Sequence, residues 1–168
     1  MSGRLEEYGI DPNTNERLRV IRETVHRNDD KLVYHVNPTG KKHGTYRQYG
    51  SNNILLEQII YKDGVMNGPV TSYNHLNGKI WKETSYLNGK EHGHRKLWFA
   101  DGKLAHTSYY SNGNLDGEMT DYYINGTMMR KVNYVEGKLC GLYQCWNSDG
   151  KLTEEKNFSV LGIDIQKS

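Results

Sequence analysis

Leu87–Tyr110, LNGKEHGHRKLWFADGKLAHTSYY, is one period of a pattern that recurs through most of the 168-residue chain. Its first glycine, Gly89, stands in a column with Gly40, Gly64, Gly113 and Gly137, at successive steps of 24, 25, 24 and 24 residues. Its second, Gly93, belongs with Gly44, Gly68, Gly117 and Gly141. Five residues beyond each second glycine stands a large aromatic: Tyr49, Tyr73, Trp98, Tyr122 and Trp146. A third glycine recurs at Gly78, Gly102, Gly126 and Gly150, with Asn53 in the first copy. Both residue types tolerate positive φ. Eight residues later each copy closes on an aromatic: Tyr61, Tyr86, Tyr110, Tyr134 and Phe158. A fixed period of this length is the signature of a repeat architecture.

The residue types say what one unit is. Asn77-Gly78, Asp101-Gly102, Asn125-Gly126 and Asp149-Gly150 lie between β-rich runs and are strong hairpin signals. Asn88-Gly89 and Asn112-Gly113 mark reversals between units in the same way. Past the third glycine an apolar column holds Leu55, Ile80, Leu104, Met128 and Leu152, and a polar one holds Glu57, Lys82, His106, Arg130 and Glu154. Strand alternation puts both columns on the side that carries the closing aromatics. No 3.6-residue period appears in the repeats. The expected fold is all-β: an elongated, single-layer antiparallel sheet of five hairpins at 39–61, 62–86, 87–110, 111–134 and 135–158.

The pattern G-K-x-x-G-x-x-x-x-W/Y, followed by D/N-G-K-L and a closing Tyr, resembles the MORN repeat in its variant form over about Thr39–Phe158. The sequence departs from that pattern at Asn53, Pro69 and Cys140. The resemblance implies a shared scaffold rather than a shared reaction, so the glycine and aromatic columns are structural residues. Such repeats occur in bacterial antitoxin-like proteins and in large DNA viruses of amoebae. The resemblance therefore implies a protein-interaction or structural scaffold, as a virion or host-interaction component. An antitoxin-like module sequestering one small protein in fixed stoichiometry is the alternative. Fusion of related repeats to lipid-kinase domains suggests a third role, as a peripheral membrane adaptor.

Residues 1–38 are expected to cap the array. Within them 17–37 read as a degenerate hairpin, with Asp29-Asp30 at the turn, one period before Asn53. An amphipathic helix over 14–27 is the competing reading. The tail 159–168, with Val160, Leu161, Ile163 and Ile165, should fold back over the last hairpin or join another chain's sheet. Open sheet edges are liabilities unless covered or paired. A homodimer through an edge, a face or the terminal segments is therefore expected.

Composition narrows the function further. A hydrophobic fraction of 35% and a mean hydropathy of −0.85 suit one thin sheet better than a thick core. Twenty-two Lys and Arg against 20 Asp and Glu, interspersed, do not make a nucleic-acid surface. Without a basic stripe or amphipathic helix, a membrane partner is not expected either. No leader or long apolar run is visible, so the expected setting is soluble and intracellular, with Cys140 and Cys145 as free thiols. The turn column His43, Asn67, His92, Asp116 and Cys140 has members about 10 Å apart. That is too far for metal ligands at about 2.1 Å. No G-x-S-x-G elbow or phosphate-cradling loop occurs. Glu83, Glu154 and Glu155 have Lys82, Lys131 and Lys151 available for cross-strand pairing. The reading is therefore no enzyme, no cofactor, no metal, and a protein partner.

The aromatic column through Trp98 is read as packing, with an exposed binding groove as the alternative. For Trp98→Ala, loss of the folded signal in circular dichroism supports packing; normal folding with lost binding supports the groove.

Overall fold

In the computed structural model, residues 7–10, 15, 17–25 and 29–158 are described. The expected tail 159–168 and the remainder of the cap lie outside them. Thirteen strands form one antiparallel sheet in the order of the chain. They are β1 (Tyr8–Ile10), β2 (Arg17–Val25), β3 (Asp30–Val36), β4 (Lys42–Tyr49), β5 (Leu55–Lys62), β6 (Val65–Tyr73) and β7 (Ile80–Leu87). There follow β8 (Lys90–Trp98), β9 (Leu104–Ser111), β10 (Asn114–Tyr122), β11 (Met128–Val135), β12 (Lys138–Trp146) and β13 (Leu152–Phe158). β4 to β13 are the five hairpins, and no helix occurs among the described residues.

Residues 17–25 are strand, so the helical alternative for that stretch is set aside. Asp29 takes φ 55°, matching Asn53 at φ 65° one period later. β2 and β3 pair without any register shift, unlike the later hairpins. Leu18 is 2% exposed, and its Cδ1 lies 3.3 Å from where a Cβ on Gly44 would stand, so this hairpin covers the first repeat.

Asn-Gly and Asp-Gly pairs build two different turns. Between units the turn has two residues, both at positive φ, as at Asn88 (50°) and Gly89 (79°). That is the turn whose twist matches antiparallel strands. Within a unit only the glycine goes positive: Gly102 has φ 95° and its N–H donates to Phe99 O at 2.9 Å. Asp101 instead accepts the Lys103 N–H on Oδ1 at 3.0 Å, and Asn125 does the same for Thr127 at 3.0 Å. The pair is thus an Asx cap plus a left-handed residue. The longer second step of the period lies in the turn between β6 and β7, where the Gly78 N–H reaches back to Asn74 O.

Each unit carries two bulges. Where one unit meets the next, Thr84 faces Arg95 but Tyr86 faces Glu91, so β8 holds two extra residues around Gly93. Pro69 falls in the corresponding bulge of β6, between the pairs Ile59↔Val70 and Tyr61↔Met66. Its missing N–H therefore costs no bond to β5. A second bulge places Trp98 opposite Leu104 after Leu97 opposite His106. Each closing aromatic faces the second glycine of its own unit: Gly44↔Tyr61, Gly68↔Tyr86, Gly93↔Tyr110, Gly117↔Tyr134 and Gly141↔Phe158.

Cross-strand pairs share a face, so two central rows can be followed across the sheet. One runs Tyr34, Tyr46, Ile59, Val70, Thr84, Arg95, Ser108, Met119, Val132, Tyr143, Lys156. This tyrosine face also carries the closing aromatics, and it buries Tyr46, Ile59, Thr84, Ser108, Met119 and Val132. The opposite row is polar: Arg47, Gln58, Thr71, Glu83, Lys96, Thr107, Thr120, Lys131, Gln144, Glu155. Tyr49, Tyr73, Trp98, Tyr122 and Trp146 are half-buried at the second bulges. Successive members lie two strands apart, about 10 Å, so the column does not stack ring on ring.

Gly117 has φ 140°, and a Cβ there would stand 3.2 Å from Tyr109 Cβ. Gly117→Ala should therefore cost about 1–3 kcal/mol in urea unfolding. Gly102 has open space around it. Gly102→Asn, which copies Asn53, should stay within about 0.5 kcal/mol.

Candidate functional site

On the tyrosine face β9, β10 and β11 bring His106, Asp121 and Arg130 together, because Asp121 pairs with both of the others. His106 Nδ1 lies 2.6 Å from Asp121 Oδ1, and Arg130 Nε donates to Asp121 Oδ2 at 2.8 Å. His106 Nε2 lies 2.9 Å from Ser108 Oγ. With Nδ1–H donating to the carboxylate, Nε2 accepts the serine proton, which is the Ser-His-Asp order of hydrolytic triads. Ser108 is 0% exposed between its cross-strand neighbours Arg95 and Met119, so no substrate carbonyl can approach Oγ. The chain of bonds ties three strands together. The His106 hydrogen bond, and then Arg130, hold the Asp121 carboxyl below the usual carboxylate range, against the opposite pull of burial.

Within the unit 87–110, Arg95 is stacked 4.4 Å from the Tyr110 ring centroid and donates from Nη1 to Tyr110 Oη at 2.6 Å. Its other amino group pairs with Glu91. Of the polar column of the sequence, His106 and Arg130 are thus cross-strand partners of Asp121, while Glu154 pairs with Lys156 on its own strand.

The turn column has a role that its spacing did not disclose. Asn67 Oδ1 accepts the N–H of Asn88 at 3.2 Å, and Asp116 Oδ1 that of Glu136 at 3.4 Å. His43, 8% exposed, lies with Nδ1 3.1 Å from Asp63 Oδ1. Each of these three residues caps the positive-φ residue at the next inter-unit turn. His43 and then Asn37 pull the Asp63 carboxyl downward. Among the described residues no three His, Cys, Asp or Glu side chains gather so as to hold a metal ion. Cys140 and Cys145 are free and half-buried. No helix of the described residues is long and apolar enough to cross a membrane.

The repeat-structural residues are spread along the array rather than brought to one point. Gly64, Gly89, Gly113 and Gly137 sit in the inter-unit turns, and Gly102, Gly126 and Gly150 in the intra-unit ones. The open face lies opposite the tyrosines. By strand alternation it carries Val65, Trp81, Leu87, Met129, Val135 and Leu142, all exposed, with Trp81 at 44% and Leu142 at 46%.

Three segments, 42–63, 91–112 and 115–136, match the family described as MORN repeat variant. They are the first, third and fourth hairpins; the second carries Pro69 and the longer turn. No curated protein matches the chain. Among solved structures it is similar to TarM, at 12% identity over 70% of this chain and 20% of that one, with a TM-score of 0.37. A mutant of S. aureus TarM in complex with fondaparinux, alpha-GlcNAc-glycerol and UDP gives 12% identity, 72% and 21% coverage and a TM-score of 0.39. The chain thus spans about one fifth of the length of these proteins. At these scores nothing that TarM binds carries over. The matched repeats themselves point to a non-catalytic repeat or binding module.

Because the folded pKa of Asp121 is depressed, its contribution is full above the unfolded value near about 4 and is lost as pH falls through the folded value. Asp121→Asn should cost about 1–2 kcal/mol at pH 7. The gap from wild type should close on acidification as pH falls below the unfolded value and through the lowered folded one, as read from urea midpoints.

Proposed function

We propose, on the premise that the chain carries repeats of the MORN variant, that it is a non-catalytic interaction scaffold whose open face meets a protein partner. The observation that carries this is the asymmetry of the sheet. The tyrosine face buries Tyr46, Ile59, Met119 and Val132 in its central row and exposes Tyr8, Ile10, Ile80 and Leu152 toward its margins, whereas the open face leaves six large apolar side chains exposed beside a row that mixes Glu83, Lys96, Lys131 and Glu155. Apolar side chains among charges of both signs suit a protein surface better than a polyanion. The hairpins supply rigidity, so binding needs little ordering of the scaffold.

A second copy is the alternative partner, favoured by one observation: among the described residues β13 pairs on one side only. A free strand edge can extend the sheet into another chain.

Trp81→Glu with Leu142→Glu should change the unfolding free energy by no more than about 1 kcal/mol. It should abolish recovery of the stoichiometric partner when the tagged protein is purified from its native source. Recovery unchanged by the double substitution contradicts the open-face assignment. A single small partner in fixed ratio assigns a sequestering role within this reading. Recovery of the protein alone, as a dimer by light scattering, moves the interface to β13.

A further inference from the structure

The tyrosine face holds one arrangement that the repeat does not generate. Tyr34 on β3, Tyr46 on β4 and Tyr61 on β5 come together around one point. Tyr46 lies 6.0 Å from Tyr34 and 6.1 Å from Tyr61, with interplanar angles of 33° and 76°. At that point sits the Lys42 ammonium, 4.5 Å from the Tyr46 centroid and 5.3 Å from each of the other two.

In the later units the residues at the place of Tyr46 are Val70, Arg95, Met119 and Tyr143, and those at the place of Lys42 are Met66, Glu91, Leu115 and Leu139. At the place of Tyr34, the residue facing Tyr143 is Val132. The three-ring cage with a cation inside therefore occurs once among the repeats. The hairpin packing does not require it.

Its chemistry is that of a site for organic cations. Three ring faces present their negative quadrupoles to one centre, the arrangement that recognises alkylated ammonium groups. Carboxylates stand near the rings: Tyr34 Oη donates to Glu23 Oε1 at 2.9 Å, and the charge of Glu57 raises the phenol pKa of both Tyr46 and Tyr61. Burial, reinforced by these acids, raises all three phenol pKa values, so the rings stay neutral around the cation.

Lys42 opens β4 just past the exposed turn residues 38–41, and it reaches the cage on a flexible four-carbon stem that regains rotamer freedom when released. The flanking rings of Tyr34 and Tyr61 are half-exposed, so the cage opens to solvent.

We propose that Tyr34, Tyr46 and Tyr61 form a binding cage for a quaternary ammonium group, plugged in the resting protein by Lys42. A trimethylammonium group has the size and charge for the cage and lacks the N–H donors that keep a lysine ammonium strongly hydrated. Its source would be a trimethylated lysine side chain or a choline group. The site lies on the face opposite the proposed partner surface, so either can fail without the other.

The test is titration of the full chain with tetramethylammonium chloride, read by the ring-current shift of the methyl protons. Lys42→Ala should bind at least about tenfold more tightly than wild type, equivalent to about 1.4 kcal/mol. Lys42→Gln keeps part of the stem without the charge and substitutes for it should the alanine variant misfold. Adding Tyr34→Leu, which retains apolar bulk and leaves every closing aromatic in place, should reverse the gain while circular dichroism remains unchanged. Choline and a trimethyl-lysine peptide are then compared; whichever binds more tightly identifies the source. No saturable binding to a folded Lys42 variant overturns the proposal. So does affinity equal to wild type, or affinity that survives Tyr34→Leu.

Discussion

A glycine facing an aromatic across each hairpin is the constraint on which the rest of the sheet depends. A single-layer sheet has no second layer to bury its side chains, so each strand must be covered by the residues beside it. Opposite Tyr61, Tyr86, Tyr110, Tyr134 and Phe158 the neighbouring strand presents a glycine at positive φ, and at Gly44, Gly68, Gly93 and Gly117 an added Cβ would crowd Leu18, Ile60, Ser85 and Tyr109 on the opposite face. If each ring hides about 100 Å², burial contributes about 2.5 kcal/mol per unit at ~25 cal/mol per Å². The same glycines, at positive φ, form the bulges through which one unit joins the next. The inter-unit turns close against the preceding strand, as where the Gly89 N–H donates to Met66 O at 2.8 Å.

Much of this was legible from the columns. Period and turn chemistry gave the hairpins, and counting back from Asn53 located the turn at Asp29, which does take positive φ. Asn88-Gly89 and Asp101-Gly102 look alike as dipeptides yet form different turns, because loop length decides whether the Asx residue itself goes left-handed or caps the turn from its side chain. The bulges were not legible. One or two unpaired residues leave the 24-residue step unchanged while they decide which residues meet across strands. His106 and Arg130 were visible as polar column members, but Asp121 between them follows only from the register of β10 with β9 and β11. The turn column from His43 to Asp116 was visible as a spacing, and its capping role was not.

The chemistry of the sheet follows from the same packing. Groups that would be reactive elsewhere are used up in holding strands together: Ser108 is closed in by its neighbours, Asp121 is shared by a histidine and an arginine, and Arg95 is engaged by Glu91 and Tyr110. What remains available is surface. The open face presents exposed apolar side chains with charges of both signs between them.

The most direct test is a map of NOE cross-peaks in solution from the Hα protons of Gly44, Gly68, Gly93, Gly117 and Gly141. The account predicts contacts to Tyr61, Tyr86, Tyr110, Tyr134 and Phe158, each with its own glycine. A one-residue slip would turn every strand over and exchange the two faces. Cross-peaks from Gly117 to Asn133 or Val135, in place of Tyr134, would contradict it.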